Sequence, residues 1–484
     1  MANIVAPRIL WDVERTQSYN NCACSVAPLT SPVSLVQAQI SQSWQRPGNI
    51  QVAGLPEENQ LLFNPRGAFG PVVLNEAAYQ SWRTFDQPRP LTDEIARQLA
   101  ELHLLHPVDE TIVSPATAAQ TLVAWLHVTN ACNLRCTYCY VNKSDEPMSA
   151  ETGKAAVDAI FRSAQQNGFR KIQLKYAGGE ASLNFTLVQN LHDYAKGLAQ
   201  QTAIELQPVV LSNGIALTHP MLDFISAEKI GLMISLDGSE DEHNNQRTFR
   251  NGQGSYDHVV RSIDRALTHG IKPHLSITVT GNSVDGIAKA VEFALERDLL
   301  FNLNFYRQHD PKQSQVDLRA EDDRLIAAMR AAFAIIEQRL PKQSLIGSLV
   351  DRSSFAGLHT RSCGAGHDYM VIDQKGGVAR CQMEIESPIT DVFTPNPLQT
   401  IRLHEGGFQN LSVDEKEGCR DCQWRYWCGG GCSLLTYRVT GRNDVKSPYC
   451  NVYKAIYPEL LRLEGLRLLK WAAPPQPINQ LYPN

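Results

Sequence analysis

The chain has no excess of positive charge, no apolar run of membrane length and no secretory start. Lys and Arg number 45 against 50 Asp and Glu, a formal net charge of −5, with no long basic block. That distribution offers a nucleic acid no electrostatic footprint. No uninterrupted apolar stretch reaches the roughly 18–20 residues of a bilayer span. The opening Met1-Ala2-Asn3-Ile4-Val5-Ala6-Pro7-Arg8 lacks the basic-then-apolar order of a signal peptide. A cytoplasmic protein with neither membrane nor nucleic-acid partner is therefore expected. At 484 residues and 43% hydrophobic content, the chain is long enough for two or more packed domains. Twelve cysteines without a secretion signal point to metal ligands more than to disulfides.

The first cysteine group is Cys132, Cys136 and Cys139, spaced C-x3-C-x2-C directly after the apolar run 122–128. That run is short and rich in Val, Leu and Trp, so it reads as a buried strand. A loop this short wraps one face of a cubane cluster and offers thiolates to three of its irons. A ferredoxin-type run supplies a further cysteine close by, and this loop does not. One iron would lack a protein ligand, and an open metal position is where chemistry happens. Zinc on three thiolates plus the nearby His127 is an alternative, and free thiols are another.

From 122 to 307 a strand-helix rhythm repeats six times, with strands expected at 122–128, 171–176, 207–211, 230–236, 272–280 and 300–306. Ser149 is placed to cap a helix with Ala156, Ile160 and Phe161 on its apolar face. Pro220 stands where a helix opens and Gly270 where one closes. Alternation of this kind implies an α/β fold with parallel strands and right-handed crossovers, its site at the carboxyl ends of the strands. The cysteine loop follows the first strand. Gly178-Gly179-Glu180 follows the second, Ser212-Asn213-Gly214 the third and Ser235-Leu236-Asp237-Gly238 the fourth.

In series, these loops resemble the radical S-adenosylmethionine (SAM) enzymes, whose fold is a partial (β/α)6 barrel. In that family SAM chelates the open iron of a [4Fe–4S] cluster through its amino and carboxylate groups. An electron from the cluster cleaves it to methionine and a 5′-deoxyadenosyl radical. The resemblance implies that Cys132, Cys136 and Cys139 hold this cluster, with Tyr138 as the aromatic residue before the last cysteine. It further implies that Gly178, Gly179 and Glu180 receive the amino group of SAM. Ser212, Asn213, Ser235 and Asp237 would face its ribose and methionine parts, and Arg247 would pair with its carboxylate. Ala181 stands where the family often has Pro.

The second group holds seven cysteines, laid out as C-x12-G-x4-C, then C-x2-C-x5-C-x3-C, then one more. Two zinc ribbons would use four cysteines per ion and leave one unmatched. The layout resembles the SPASM extension of radical SAM maturases, with Gly376 as its glycine. The resemblance implies an auxiliary [4Fe–4S] cluster on Cys419, Cys422, Cys428 and Cys450, and a second on Cys363, Cys381 and Cys432. The second set has three ligands, so it either has an open iron or borrows a ligand such as Cys22 or Cys24. Gly429-Gly430-Gly431 lets backbone pass tightly over a cluster with amides aimed at its sulfurs. Trp424, Tyr426 and Trp427 are expected to form a dry wall.

Upstream, segments 61–64 and 70–75 read as two strands, followed by helices at about 76–85 and 91–104. The order β-β-α-α resembles the winged-helix-like module that holds leader peptides as an added strand. Domain boundaries are expected at 1–50 (unassigned), 51–115 (leader module), 116–310 (barrel), 311–360 (helical bridge), 361–455 (SPASM) and 456–484 (helix and Pro-rich tail). The resemblance implies a radical SAM peptide maturase working on a ribosomally made precursor peptide with a leader. A flavodoxin- or ferredoxin-type donor would reduce it. An intramolecular carbon–carbon, cyclophane-type crosslink is the expected product, with thioether formation or tyrosine excision as alternatives. A sulfatase-maturase-like enzyme is a further alternative, although relatives that make formylglycine in sulfatases carry an Asp after the cysteine matching Cys381, where this chain has Gln382. A scaffold without catalysis is the reading from another class.

Overall fold

The computed structural model describes residues 6–12, 42–108, 119–308, 317–355 and 357–472. Cys22, Cys24 and the Pro-rich tail lie outside the described residues.

Short β-branched and leucine-rich runs build the first layer. Its strands are β1 (Ile9–Leu10), β2 (Trp44–Gln45), β3 (Gln51–Gly54), β4 (Gln60–Phe63), β5 (Val72–Leu74) and β6 (His106–Pro107). Four of them form an antiparallel sheet in the order β1-β5-β4-β3, while β2 pairs with β6. Two strands were expected here and they are β4 and β5. The flanking β1 escapes a periodicity reading because it is two residues long, and β3 because none of its four residues is fully buried. Helix α1 (Glu76–Arg83) starts where Asn75 Oδ1 accepts the Ala78 N–H at 3.1 Å, and α2 (Glu94–Glu101) where Asp93 does the same for Ala96 at 2.8 Å. Alternation along the strands gives this layer two apolar faces. Leu62, Val72 and Leu74 pack with Trp82 and Leu99 in a small core, while Leu61, Phe63 and Val73 join the main one.

Strands of a parallel sheet are covered on both faces, and six strands follow that are mostly buried, except that β9 exposes alternate residues over its first half. They are β7 (Thr121–His127), β8 (Lys171–Ala177), β9 (Glu205–Ser212), β10 (Gly231–Ser235), β11 (His274–Val279) and β12 (Phe301–Phe305). All are parallel and hydrogen-bonded in sequence order, with registers such as Ala124↔Leu174 and Ile277↔Leu303. The connecting helices are α3 (Ala150–Gln166), α4 (Phe185–Thr202), α5 (His219–Ala227), α6 (Glu240–Gln246), α7 (Tyr256–Thr268) and α8 (Ile287–Glu296). Ser149 Oγ caps α3 by accepting the Thr152 N–H at 3.0 Å, as its position implied. The fold is the expected α/β type with a mostly parallel central sheet.

The sheet does not stop at β7. After α9 (Asp322–Arg339), strand β13 (Tyr369–Ile372) pairs parallel with β7 in the register Tyr369↔Val123, and β14 (Gly377–Ala379) and β15 (Thr390–Asp391) continue antiparallel. The first two cysteines of the C-terminal group, Cys363 and Cys381, thus flank strands that extend the central sheet. Helices α10 (Pro397–Leu403), α11 (Arg425–Cys428) and α12 (Ser433–Thr440) lead to α13 (Cys450–Trp471), which packs against α9. Trp427 Nε1 donates to Pro65 O at 2.9 Å, and Phe63 lies 5.0 Å from the Trp427 ring, so the N-terminal sheet is seated on the cysteine-rich end. Among the described residues no helix is long and apolar enough to cross a membrane.

Candidate functional site

The residues expected to surround SAM come together at the carboxyl ends of β7 to β11, held by hydrogen bonds among themselves. Glu180, only 2% exposed, is a hub. Its carboxylate accepts from Ser182 N at 3.1 Å, Ser182 Oγ at 2.6 Å, Ser212 Oγ at 2.8 Å and Asn213 N at 2.6 Å. Asn213 passes this order on to the cysteine loop. Its Nδ2 donates to Asn133 Oδ1 at 2.7 Å and lies 3.7 Å from Cys132 Sγ. The glycines before Glu180 serve a close approach of backbone to backbone. A Cβ on Gly179 would lie 2.5 Å from Ala131 O and 2.6 Å from Asn130 O, and one on Gly178 would lie 2.6 Å from Thr129 O. In return Gly179 N–H and Glu180 N–H donate to Thr129 O and Ala131 O at 2.8 and 2.9 Å.

A second network anchors the other side of the loop. Asp237, fully buried after β10, accepts the Tyr138 hydroxyl proton, the Thr278 N–H at 2.7 Å and Arg247 Nη1 at 3.3 Å. Arg247 also donates to the Tyr138 hydroxyl oxygen. Tyr138, Asp237 and Arg247 are therefore one buried cluster, and burial holds the Tyr138 phenol well above its usual range. Arg135 N–H and Thr137 N–H donate to Thr248 O and Gln246 O at 2.7 and 2.9 Å, seating the loop on the segment after α6. Ser235 ends β10 half-buried beside this cluster, in register with Ser276. His127, weighed as a zinc ligand, is fully buried with Nε2 2.7 Å from Asn130 Oδ1, and burial pushes its pKa down to about 4.

An open cleft of about 650 Å3 adjoins the loop, lined in part by Cys132, Asn133, Leu183, Phe249 and Arg250. Among the described residues no three His, Cys, Asp or Glu side chains stand close enough to hold a single metal ion. The chemistry of the donor set nevertheless fits a cubane. Burial raises the Cys132 thiol and pushes Cys136 up to about 11, so at neutral pH these groups are thiols unless a metal replaces the proton.

The C-terminal cysteines have the same character. Burial pushes Cys419 up to about 12 and raises Cys428 and Cys450. Gly430 N–H and the Tyr457 hydroxyl both hydrogen-bond the Cys428 sulfur. Gly429, Gly430 and Gly431 take φ values of 62°, 80° and 69°, left-handed backbone that side chains resist. Trp424 and Trp427 are buried against Phe63, Phe355 and Tyr457, and Tyr426 donates to Asp414 at 3.0 Å. Gln382 Oε1 accepts the Tyr369 hydroxyl at 3.0 Å. The loop and this region touch directly: Asn142 N–H donates to Glu386 at 3.0 Å. Sequence reasoning missed Asn410, whose Nδ2 donates to Cys363 O at 2.6 Å, and the fully buried Lys416. A lysine three residues before a cysteine looks like any surface lysine.

Comparison with known proteins bears on the fold. The radical SAM superfamily model matches residues 126–294. An uncharacterized protein of Methanocaldococcus jannaschii is 27% identical over 171 residues, covering 35% of this chain and 57% of that protein, so the chain spans little more than half its length. The cysteine-type anaerobic sulfatase-maturating enzyme of Clostridium perfringens is 22% identical over 357 residues, 68% of this chain and 93% of that enzyme. The solved structure of anSMEcpe with bound AdoMet superposes with a TM-score of 0.57 at 17% identity, covering 72% of this chain and 98% of that one. The same protein with bound AdoMet and Cp18Cys peptide gives 0.54. These structural likenesses speak to the fold. Residues 126–294 thus match the radical SAM superfamily, and over 68% of its length the chain is similar to an anaerobic sulfatase-maturating enzyme.

Proposed function

We propose that the protein is a radical SAM peptide maturase that installs an intramolecular crosslink in a ribosomally made precursor peptide. One observation carries the reading: a thiol loop sits at the carboxyl ends of parallel strands, tied to Glu180 through Asn213 and open to a cleft of about 650 Å3. In this reading Cys132, Cys136 and Cys139 hold a [4Fe–4S] cluster, and two further clusters take Cys419, Cys422, Cys428, Cys450 and Cys363, Cys381, Cys432. When bound, the reduced cluster and SAM supply a 5′-deoxyadenosyl radical able to take one hydrogen atom from a C–H bond.

The protein's own work is positional. Glu180 and Asp237 fix the loops after β8 and β10, and the Asn142–Glu386 contact sets the cysteine loop against the C-terminal cysteines. The N-terminal sheet, seated on Trp427, would hold the leader of the peptide. A peptide substrate is supported by the homologous sulfatase-maturating enzyme and by the peptide in the anSMEcpe structure. A flavodoxin- or ferredoxin-type protein would supply electrons. Crosslinking removes two hydrogens: one as the abstracted atom, the other as a proton and an electron. Auxiliary clusters held by the C-terminal cysteines would be able to accept that electron.

A carbon–carbon crosslink of cyclophane type is favoured over a formylglycine by Gln382. Its side chain has no proton-accepting carboxylate and is engaged by Tyr369. The sulfatase-maturase reading keeps its place because that relative is matched over 93% of its length. Co-expression with a candidate precursor peptide, sought among small proteins encoded beside the gene, separates them. A peptide two hydrogens lighter, unreactive to hydrazide and joined between two side chains in fragment spectra supports the crosslink. A hydrazide-reactive aldehyde supports the second reading, and a shortened backbone contradicts both.

A further inference from the structure

Lys416 is 0% exposed, yet its ammonium faces no carboxylate among the described residues. Its Nζ donates to Ser433 Oγ at 3.1 Å. A buried ammonium without a counter-charge costs several kcal/mol, so such groups are paired in native interiors. Lys416 adjoins cysteines of both proposed auxiliary sets: its carbonyl accepts the Cys419 N–H at 3.1 Å, and its ammonium meets Gly430, which lies between Cys428 and Cys432, and Ser433, which follows Cys432. Gly430 makes room for the cation, since a Cβ there would sit 3.2 Å from Nζ. From Ser433 the hydrogen bonds run on. Ser433 Oγ donates to Asn410 Oδ1 at 2.8 Å, and Asn410 Nδ2 donates to Cys363 O at 2.6 Å and lies 3.7 Å from Cys363 Sγ. One cation is therefore buried between two groups of sulfur ligands and linked to one of them through two side chains.

We propose that Lys416 is a counter-cation shared by the two auxiliary clusters, and that its charge raises both of their reduction potentials. The inference rests on the auxiliary-cluster reading above. A cluster gains negative charge on reduction, and a fixed positive charge in a dry site stabilises the reduced form more than the oxidised one. Lys416 touches no substrate. It is a positioning residue whose effect is electrostatic.

The test uses the full chain with Cys132, Cys136 and Cys139 changed to Ala, leaving only auxiliary clusters, reconstituted anaerobically. Midpoint potentials are read by EPR-monitored redox titration for the parent, Lys416→Met and Lys416→Arg. The expected result is a fall of both potentials in the Met variant by at least a tenfold change in reduction equilibrium, about 59 mV for one electron. The Arg variant keeps the charge and stays near the parent. Failure of the Met variant to load auxiliary iron while the Arg variant loads it supports the same role. Unmoved potentials in an iron-loaded Met variant overturn the proposal, and movement of one potential alone overturns the sharing. Loss of loading in both variants assigns Lys416 to packing and overturns it too. A parent without auxiliary iron refutes the cluster reading itself, and the inference falls with it.

Discussion

The Glu180 carboxylate accepts the Asn213 N–H at 2.6 Å, tying the end of β8 to the end of β9. Through the Asn213 amide the tie reaches Asn133 and Cys132. Glu180→Ala would leave the donors of Ser182, Ser212 and Asn213 unpaired in a buried site. It is expected to lower the unfolding free energy by about 3 kcal/mol and to weaken SAM binding as well. Urea denaturation and equilibrium dialysis measure the two effects. A stability equal to the parent's would mean that Glu180 is a ligand contact and not the organiser of these loops.

Gly179 is where the cysteine loop and the strand end come closest. A methyl group 2.5 Å from Ala131 O cannot be accommodated without moving the backbone that carries Cys132. Gly179→Ala is expected to lose about one cubane's worth of iron and the EPR change on adding SAM, while the auxiliary signals persist. Full iron content with an unchanged SAM response would contradict the packing role.

Phe63 is fully buried between the rings of Phe355, Trp424 and Trp427. Truncation to Ala opens a cavity at the junction of the N-terminal sheet with the cysteine-rich end. The expected cost is about 3–5 kcal/mol, seen in the denaturant midpoint. A loss under about 1 kcal/mol would mean that this junction contributes little to stability.

His243 Nδ1 accepts the Asp237 N–H at 3.1 Å, and its Nε2 stands 3.0 Å from Ser255 Oγ. Burial, and then the charge of Arg247, push its pKa down to about 3. In the unfolded chain a histidine titrates at about pH 6.5. Between those pH values the unfolded chain binds a proton that the folded chain refuses. Stability is therefore full above about pH 6.5 and declines as pH falls toward 3. His243→Asn keeps an acceptor without the titration, so its decline from about pH 6.5 to about pH 4.5 should be shallower than the parent's. Parallel slopes in pH-dependent unfolding would contradict this.

The parallel sheet was legible because most residues of β7, β8 and β10 to β12 are buried, so that short apolar stretches alternate with helical periodicity. Ser149 and Gly270 fall where their backbone preferences put them. What the sequence hid depends on distance along the chain. Pairing of β13 with β7 joins residues some 250 apart, and no periodicity records which strand a sheet edge receives. Ser212, Asn213, Asp237 and Arg247 could be located from their loops, yet their bonds to Glu180, Tyr138 and one another emerge only from the fold. Lys416 reads as a solvated charge because burial has no signature at a single polar residue.

The proposed reaction requires a cluster at Cys132, Cys136 and Cys139 that cleaves SAM. Anaerobically reconstituted protein given dithionite and SAM should release 5′-deoxyadenosine and change its EPR signal when SAM is added, and the triple Ala variant at these cysteines should do neither. Equal release from parent and variant, or none from an iron-loaded parent, would contradict it.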